Sequence, residues 1–369
     1  MSITLVLLGG GNSTRFSQKT KKQWLRVGKI PLWLSVVKSF EEFDFDKIII
    51  VAKYDEIAYM QNFTEYSVVN GGDTRQNSLI NALKFVETEH VMVSDIARCC
   101  VSKDVVKKLI ASKNKADIIV PFIGVDDSVV YKNMTIDRDK VKLIQTPQLS
   151  KSLVLKKSLK QEEVFTDDSS AIRSMGGSVH FVEGCKSLAK LTRIEDLKLV
   201  PCLKKAEVEI RVGHGFDVHK FNQAPPLMLG GVEIECDYGF EAHSDGDVLI
   251  HALIDALLGA VGAGDIGELF PDNDDNFKGA SSLSLLKKVV LFLENIGARV
   301  VNVDVTVMAE KPRLSKYKVK IRQTLGSVLN LESIDVNVKA TTTEKLGFIG
   351  RGEGVAVEAI AQVMLGENL

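Results

Sequence analysis

The sequence lacks three features that would each indicate a particular environment: a long apolar run, an excess of charge of one sign, and a set of cysteines that could all pair. No stretch reaches the roughly 20 apolar residues of a membrane-spanning helix, so we expect no membrane partner. The 47 Lys and Arg residues nearly balance the 48 Asp and Glu residues, giving a net charge of −1. This balance gives no electrostatic reason to expect nucleic acid or an anionic membrane as a partner.

Cysteine is scarce and poorly arranged for structural bonds. The five cysteines are odd in number, include the adjacent Cys99 and Cys100, and form no C-x-x-C motif. We therefore expect neither a disulfide framework nor a sulfur-bound zinc site, and a reducing cytoplasm is the expected location. The amino-terminal run ITLVLL has no basic segment before it and no cleavage pattern after it, so we expect it to form a buried strand.

The length of the chain predicts two domains. A chain of 369 residues is too long for one typical core, and 45% hydrophobic content is enough for two. The alternation of strand-like and helix-like segments stops at LVPCLKKAEVE, which contains a proline and two adjacent lysines. We expect domains at 1–204 and 208–369. The two parts share no motif, which indicates a fusion of two different domains.

The first part has the pattern of an α/β domain with a mostly parallel sheet. Its apolar runs do not alternate with polar residues, as is typical of strands buried on both faces. The six runs lie at 3–8, 47–52, 67–69, 90–93, 116–122 and 178–182, and the clearest helix-like segments lie at 75–87 and 103–112. Ligands bind at the carboxyl ends of strands in such sheets. We therefore expect chemistry at the turns after Leu8, Val69, Val93 and Phe122.

Two of these turns are rich in glycine. The first, GGGNSTR from Gly9 to Arg15, can surround phosphate groups with backbone amides while Arg15 and Lys22 neutralise their charge. It has neither the P-loop lysine spacing nor the full Rossmann spacing, and a tight strand-to-helix connection explains it equally well. The second glycine turn, Gly71-Gly72-Asp73, favours the phosphate-binding interpretation.

The second part has an α+β pattern with helices on one face of a sheet. Its segments follow the order strand, helix, helix, strand, helix, strand, and apolar residues alternate in strands such as 301–307. Helices on one face leave the other face of the sheet without cover. We therefore expect neighbouring subunits to cover that face in a homo-oligomer.

Three residues of the second part form a potential metal site. Asp217 and His219 are two positions apart, so they share one face if VGHGFDVH is a strand. Gly213 and Gly215 permit a close approach to that strand, and His251 lies in an apolar, helix-like run where a histidine needs a polar partner. Nitrogen and oxygen ligands without cysteine fit a zinc ion whose fourth position is open. For any one of the three alone, a core histidine or a loop residue is the alternative.

Positions 1 to about 200 resemble the 2-C-methyl-D-erythritol 4-phosphate cytidylyltransferases. The shared motifs are the glycine-rich loop ending in arginine, K-Q-W, G-G-D-x-R-x-x-S, a D-x-A-R segment, T-P-Q, T-D-D, V-E-G and K-L-T. They lie at 9–15, 22–24, 71–78, 95–98, 146–148, 166–168, 182–184 and 190–192. The sequence departs from the usual pattern at Ser13, where glycine is common, and at Ser94, Ile96 and Cys99, where His, Ala and Pro are common.

This resemblance implies a Rossmann-like nucleotidyltransferase domain in which methylerythritol phosphate attacks CTP and pyrophosphate leaves. Arg15 and Lys22 would stabilise the transition state. Arg138 and Lys190 would hold the methylerythritol phosphate, and Mg²⁺ or Mn²⁺ would accompany CTP. The substrate-binding residues that the resemblance implies are Gly9, Gly10, Gly11, Gly72, Asp73, Ser78, Asp95, Arg98, Ser128 and Thr166.

The chain from Arg211 onward resembles the 2-C-methyl-D-erythritol 2,4-cyclodiphosphate synthases. The shared motifs are G-H-G-x-D-x-H, A-H-S-D-G-D, G-D-I-G, F-P-D and the long K-A-T-T-T-E-K-L-G-F-x-G-R-G-E-G. They lie at 213–219, 242–247, 264–267, 270–272 and 339–354. The resemblance implies that zinc on Asp217, His219 and His251 polarises the β-phosphate of 4-diphosphocytidyl-methylerythritol 2-phosphate. The 2-phosphate would attack that phosphorus and expel CMP.

The same resemblance implies further roles. His243 and Thr342 would support charge in the transition state, and Glu344 would hold a second divalent ion, Mg²⁺ or Mn²⁺. The implied substrate-binding residues are Ser244, Asp265, Ile266, Gly267, Phe270, Pro271, Asp272, Asn273, Asp274, Ala309, Pro312, Arg313, Leu314, Ser315, Thr341, Thr343, Phe348 and Arg351. The sites would lie between subunits of a trimer, or of a hexamer if the first domains also dimerise.

Together these features predict a cytoplasmic bifunctional enzyme of isoprenoid precursor synthesis that acts on small-molecule substrates. Two alternatives stay open at the level of the residues. One is a sugar-phosphate nucleotidyltransferase fused to a zinc phosphohydrolase, which would release a linear monophosphate. The other is a nucleotide-responsive metal-binding scaffold with degenerate sites, which would bind CTP without turnover.

Overall fold

The computed structural model describes residues 2–161, 163–241, 245–271 and 280–366. The chain divides into two compact units, Met1–Lys205 and Ala206–Leu369. In the part of the chain that the structure describes, no helix is both long enough and apolar enough to cross a membrane.

The first unit is an α/β domain. Its strands are β1 (Ile3–Leu8), β2 (Arg26–Val27), β3 (Ile30–Pro31), β4 (Lys47–Ala52), β5 (Ser67–Asn70), β6 (His90–Asp95), β7 (Ile118–Ile123), β8 (Val129–Tyr131), β9 (Met134–Ile136), β10 (Leu143–Ile144), β11 (Gln148–Lys151) and β12 (Val179–Glu183). Its helices are α1 (Leu32–Phe40), α2 (Tyr54–Gln61), α3 (Arg75–Leu83), α4 (Lys103–Ala111), α5 (Ser152–Ser158) and α6 (Asp168–Ser174). All six apolar runs form strands, as the sequence predicts.

The main sheet of this unit has eight strands and is mostly parallel, which confirms the predicted fold class. Seven strands follow the order β10-β7-β11-β6-β1-β4-β5, and β12 pairs with β7. The pairs of β1 with β4 and β6, of β4 with β5 and of β7 with β12 are parallel. Strand β11 is antiparallel to β6 and β7. It is only four residues long, QLSK, and contains no apolar run that would predict a strand.

The second unit is an α+β domain, as predicted. Its strands are β13 (Glu209–Asn222), β14 (Leu227–Leu229), β15 (Val232–Ile234), β16 (Gly239–Phe240), β17 (Ala298–Met308), β18 (Val336–Thr341) and β19 (Gly354–Leu365). Its helices are α7 (Val248–Val261), α8 (Ile266–Leu269), α9 (Ser282–Asn295), α10 (Lys318–Leu329) and α11 (Gly347–Gly350). The sheet order is β16-β13-β19-β17-β18, with α7 packed on β13 and β19. The predicted order omits the central strand, β19, as well as the short elements β14, β15, β16, α8 and α11.

One expectation about cysteine is wrong. Cys100 and Cys202 form a disulfide whose Cα atoms are 5.4 Å apart, although the two residues are separated by 102 positions. Cys99, Cys185 and Cys236 are free. The odd number of cysteines and their spacing argued against a disulfide framework, but spacing along the chain says nothing about which residues the fold brings together.

Candidate functional site

The first unit contains a cleft of about 710 Å³ at the carboxyl ends of its parallel strands. The turns after β1, β5 and β6 all contribute to it, as the fold class requires. The predicted residues that line it are Gly9, Gly10, Gly11, Arg15, Lys22, Gly72, Asp73, Ser78, Asp95, Thr166 and Lys190. Sequence positions up to 181 residues apart in the chain therefore meet in one concave surface.

The glycine-rich loop is fixed in place by polar contacts. Ser13 has a left-handed backbone, with φ of 54° and ψ of 24°. Its hydroxyl donates to Gln23 Oε1 and accepts from the Lys22 amide, both at 3.2 Å. These two contacts hold a residue with a side chain in a conformation that favours glycine. The loop is thereby joined to the segment that carries Lys22.

The buried carboxylate of Glu56 anchors that segment. Glu56 is 2% exposed and accepts hydrogen bonds from Lys21 Nζ at 2.8 Å and Trp24 Nε1 at 3.0 Å. Gln23 Nε2 lies 3.4 Å from both of its oxygens. The Glu56 carboxylate therefore holds the residues on both sides of Lys22 in place. Sequence reasoning missed Glu56, since an acidic residue in the first turn of α2 is ordinary.

Positive charge is concentrated on one side of the cleft. Burial and then the nearby Lys190 lower the pKa of Lys22. Lys22 Nζ donates to the Leu191 carbonyl at 3.4 Å, and Lys190 Nζ pairs with Asp95 at 2.6 Å. Cations that repel one another in a confined space favour binding of a polyanion, because the anion relieves that repulsion.

A buried ion network supports Asp95. Arg75 Nε lies 3.2 Å from Asp95 Oδ1, and its Nη1 lies 2.8 Å from Asp168 Oδ1. Burial alone would raise the pKa of Asp95, but Arg75 and Lys190 lower it to about 2. Asp95 is thus ionised at neutral pH and holds Lys190 in the cleft. The Asp168 carboxylate at the start of α6 is 1% exposed, so the network ties α3, β6 and α6 together.

Three predicted residues do not line this cleft. Arg98 donates instead to the Leu188 carbonyl at 2.6 Å. The exposed Arg138 donates to the Asp126 carbonyl at 2.6 Å, and Ser128 is exposed next to β8. Their proposed roles in substrate binding remain predictions.

The second unit brings Asp217, His219 and His251 together. Asp217 Oδ2 lies 3.2 Å from His219 Nε2 and 3.3 Å from His251 Nδ1, and the three ligand atoms all lie within 4.8 Å of one another. Metal–ligand bonds of about 2.0–2.1 Å in a tetrahedron place two ligands roughly 3.3 Å apart. The spacing in this cluster therefore fits zinc. Burial would raise the pKa of Asp217, but hydrogen bonds with the two histidines lower it, which leaves an ionised ligand.

Outer contacts orient both imidazoles. His219 Nδ1 lies 2.8 Å from the Gly246 carbonyl, a geometry in which Nδ1 donates and Nε2 is left as the ligand atom. His251 Nε2 lies 2.9 Å from Ser282 Oγ, which leaves His251 Nδ1 facing Asp217. Ser282 Oγ in turn donates to Asp245. Sequence reasoning missed Ser282, because a serine at the start of a helix is usually only a capping residue.

Glycines in β13 set the distance between strand and helix. A Cβ atom on Gly215 would lie 1.9 Å from the Ala252 carbonyl oxygen, and one on Gly213 would lie 1.9 Å from that of Ala256. The backbone of β13 therefore touches the backbone of α7. This contact allows His251, on α7, to reach the two ligands on β13.

The change Gly215→Ala is expected to push α7 away from β13. We expect it to lower the free energy of unfolding by about 1–3 kcal/mol, the usual effect of overpacking, and to weaken metal binding as well. Thermal unfolding and metal titration measure the two effects. Gly259→Ala is the matched control, because a Cβ atom there would meet no atom closer than 4.0 Å. Equal stability of the two variants would contradict this explanation of the glycines.

Several other predicted residues of the second unit lie near the carboxyl ends of β17 and β18, whereas Asp265 to Phe270 lie at α8. Thr342 Oγ1 donates to Glu344 Oε1 at 2.9 Å, and Ala309 N donates to the Thr341 carbonyl at 3.0 Å. Arg351 lines a cleft of about 600 Å³ with Lys311. The structure also describes Asp265, Ile266, Gly267, Phe270, Pro271, Pro312, Arg313, Leu314, Ser315, Thr343 and Phe348. His243, Ser244, Asp272, Asn273 and Asp274 lie outside the described residues.

The strand that carries Asp217 and the strand that leads to Glu344 are not neighbours in the sheet. Asp217 pairs with Val357 of β19, Val357 with Val307 of β17, and Val307 with Ala340 of β18. Three strand spacings separate Asp217 from Ala340, or about 14 Å at about 4.8 Å per step. In the sheet, β19 and β17 therefore lie between the strand that carries Asp217 and the strand that leads to Thr342 and Glu344.

Two family models match different parts of the chain. Residues 3–203 match the family model of 2-C-methyl-D-erythritol 4-phosphate cytidylyltransferase, and residues 210–364 match the YgbB family model. The chain is 52% identical to the bifunctional enzyme IspD/IspF of Aliarcobacter butzleri, over 98% of this chain and 97% of that protein. It is also 52% identical to the bifunctional enzyme IspD/IspF of Sulfurimonas denitrificans, over 98% and 94%. The structure of bifunctional IspDF from Campylobacter jejuni superimposes with a TM-score of 0.83 at 48% identity, covering 98% of both chains.

Proposed function

The chain belongs to the bifunctional IspD/IspF enzymes, and from that membership we propose which of its residues perform the two reactions. The enzyme transfers CMP from CTP to 2-C-methyl-D-erythritol 4-phosphate with release of pyrophosphate. It also cyclises 4-diphosphocytidyl-2-C-methyl-D-erythritol 2-phosphate to the 2,4-cyclodiphosphate with release of CMP. Both reactions belong to the methylerythritol phosphate pathway of isoprenoid synthesis, and enzymes of this family depend on metal ions.

For the first reaction, we assign the triphosphate of CTP to the glycine-rich loop. The amides of Gly9 to Gly11 surround the phosphates, and Arg15 and Lys22 stabilise the charge that develops when the α-phosphorus is attacked. The cation cluster at the cleft is the observation that supports this assignment. Catalysis here consists of positioning and electrostatic stabilisation, because the incoming phosphate is itself the nucleophile.

The methylerythritol phosphate is assigned to Lys190. Asp95 holds this lysine in the cleft at 2.6 Å, and Arg75 holds Asp95. Both oxygens of Asp95 are thus engaged by cations. Magnesium or manganese, which we propose as the metal of this step, would therefore be held mainly by the phosphates of CTP, with Asp73 as the other carboxylate of the lining.

For the second reaction, we propose that Asp217, His219 and His251 hold zinc. The tetrahedral spacing of their ligand atoms carries this assignment. When bound, zinc supplies Lewis-acid polarisation of a phosphate oxygen. The protein fixes the two imidazole tautomers through Gly246 and Ser282. Thr342 and Glu344 form a second group, where Glu344 would hold a magnesium or manganese ion and Thr342 would support negative charge.

We propose that the second unit forms a trimer in which neighbouring chains complete each cyclisation site. The face of the sheet opposite α7 exposes a row of apolar side chains, with Val212 at 64% and Phe216 at 52% exposure. Its other members are Ile210, Val218 and Ile360. Burying such a row is favourable by roughly 25 cal/mol per Å². The two strands that lie between β13 and the strand leading to Glu344 support the same proposal.

The change Phe216→Glu is expected to break this assembly. A carboxylate in the buried interface has no partner to offset its desolvation, so the chain should sediment as a smaller species at micromolar concentration. Cyclisation should fall together with assembly, since each site would lose the residues of its neighbour. Ile334→Glu is the control, because Ile334 is 86% exposed and lies outside the sheet. A wild-type protein that sediments as a monomer would refute the proposal.

We further propose that the enzyme acts in the cytoplasm on small-molecule substrates, without nucleic acid or membrane partners. The balanced charge of the chain supports this assignment. A hexamer, with first units paired across trimers, is a further form that the same sedimentation experiment detects by mass.

A further inference from the structure

Two segments that form one side of the transferase cleft are joined by the bond between Cys100 and Cys202. One segment runs from Asp95, the last residue of β6, through the following turn to Cys100. The other, from Lys186 to Cys202, is the terminal segment of the first unit and carries Lys190. We infer that Cys100 and Cys202 form a reversible redox modification site, whose oxidation state determines how firmly Lys190 is held in the cleft. This inference rests on the role proposed for Lys190.

Three direct contacts hold the two segments together along this side of the cleft. Leu191 N donates to the Ala97 carbonyl at 2.8 Å, and Lys190 Nζ pairs with Asp95 at 2.6 Å. Arg98 reaches across to the Leu188 carbonyl. All three contacts lie before residue 192. The disulfide is the covalent link beyond them, where the segment approaches the end of the unit.

The burial of the three cysteines indicates how the bond exchanges. Cys202 is exposed, whereas Cys99 and Cys100 are buried, and all three sulfurs lie within 4.8 Å of one another. Burial raises the pKa of Cys99 to about 11, so this residue remains a thiol. Thiolates are the attacking species in exchange, and access limits their rate. Exchange therefore begins at Cys202.

The chemistry requires only a small disulfide and a small thiol. The Cys202 thiolate attacks oxidised glutathione, whose sulfur–sulfur bond breaks, and one glutathione thiolate leaves. The Cys100 thiolate then attacks Cys202 Sγ and expels the second glutathione as a thiolate. The pair thus loses two electrons and two protons, which oxidised glutathione gains. A dithiol reverses both steps.

Reduction is expected to loosen the terminal segment without unfolding it. Leu188, Leu191 and Val200 are buried, with at most 3% exposure, and continue to anchor the segment. The covalent limit on its motion is lost, however, and Lys190 then samples positions away from Asp95. Lys190 contacts substrate in the proposed site, so the two cysteines act through it as positioning residues.

The test compares oxidised and reduced full-length enzyme. After treatment with oxidised glutathione, denatured protein should show three free thiols, and after dithiothreitol five, as the cysteine assignments require. Reduction should lower kcat/KM for pyrophosphate release roughly three- to ten-fold, mainly by raising the KM for methylerythritol phosphate, as expected when one charged hydrogen bond weakens. Cyclisation by the same chain should not change and serves as an internal control.

Two variants make the test specific. Cys202→Ser should have the reduced kinetics under both conditions, and Cys185→Ser, which removes a free thiol of the same unit, should respond like wild type. Five thiols after oxidation, or three thiols with an unchanged KM, would overturn the inference. Lys190→Ala separates the two proposals: if it leaves the KM unchanged, the role of Lys190 is wrong even where the disulfide forms.

Discussion

His251→Ala is expected to abolish cyclisation and zinc binding while leaving cytidylyl transfer unchanged. The change removes one of three protein ligands, and two ligands are too few for tight zinc binding. It also removes one of the two histidines that contact the Asp217 carboxylate. We expect release of CMP from the cyclisation substrate to fall by on the order of 10³-fold or more, since electrostatic stabilisation at the reacting phosphate is lost.

Metal analysis beside both activities measures this result. Wild type should hold about one zinc per chain in the second unit, and the variant should hold none. His180→Ala is the matched control, because it removes a histidine from β12 in the first unit. Pyrophosphate release should stay at the wild-type rate in both variants. A full zinc content in His251→Ala would falsify the assignment of the ligands.

Ser282→Ala tests how much the orientation of His251 contributes to zinc binding at the same site. It leaves all three ligands but removes the hydroxyl that orients His251. Outer contacts of this kind usually contribute 10- to 100-fold to metal affinity. We therefore expect zinc to bind about 10–100 times more weakly, with cyclisation restored by added zinc, a rescue that His251→Ala should not show.

Lys22→Ala is expected to have the opposite selectivity: loss of cytidylyl transfer with cyclisation intact. Lys22 lines the cleft beside the glycine-rich loop, where we propose that the phosphates of CTP bind. Removing one preorganised charge of this kind usually costs about 10²–10³ in kcat. The KM for CTP should change less, because the loop amides and Arg15 remain. Lys107→Ala, on the exposed face of α4, is the control.

The wild-type pH profile gives an independent check on Lys22. Burial and Lys190 lower its pKa from the ordinary 10.5, so Lys22 loses its proton earlier than a free lysine as the pH rises. The kcat/KM for CTP should therefore decline on the alkaline side at a pH below 10.5. Bound triphosphate stabilises the charged form, so the decline in kcat should lie at higher pH. If kcat/KM for CTP did not decline at alkaline pH in wild type, and Lys22→Ala had the same pH profile, the proposed role of Lys22 would be contradicted.

Local patterns in the sequence were sufficient for most of the fold. Non-alternating runs identified all six parallel strands of the first unit, because burial on both faces leaves a continuous apolar signature. The two-residue spacing of Asp217 and His219 predicted that they share a face, and β13 has that geometry. The family motifs then placed most of the cleft lining, from Gly9 to Lys190.

Several features that the sequence did not predict depend on contacts between residues far apart in the chain. The disulfide joins residues 102 positions apart, and Glu56 reaches Trp24 across 32 positions. Ser282 becomes an outer contact of His251 only when α9 begins beside α7. Strand β19, GVAVEAIAQVML, was overlooked although it is mostly apolar and occupies the centre of its sheet. The disulfide, Glu56 and Ser282 have no local signature that spacing or periodicity can detect.

The direct contact between β13 and α7 has a consequence for how this enzyme can evolve. The gap between these two elements is filled by peptide groups, so the volumes of neighbouring core side chains do not determine it. Substitutions elsewhere in the hydrophobic interior can accumulate and repack without altering the spacing of the three ligand atoms. We therefore expect the geometry of the proposed zinc site to depend little on substitutions in the surrounding core.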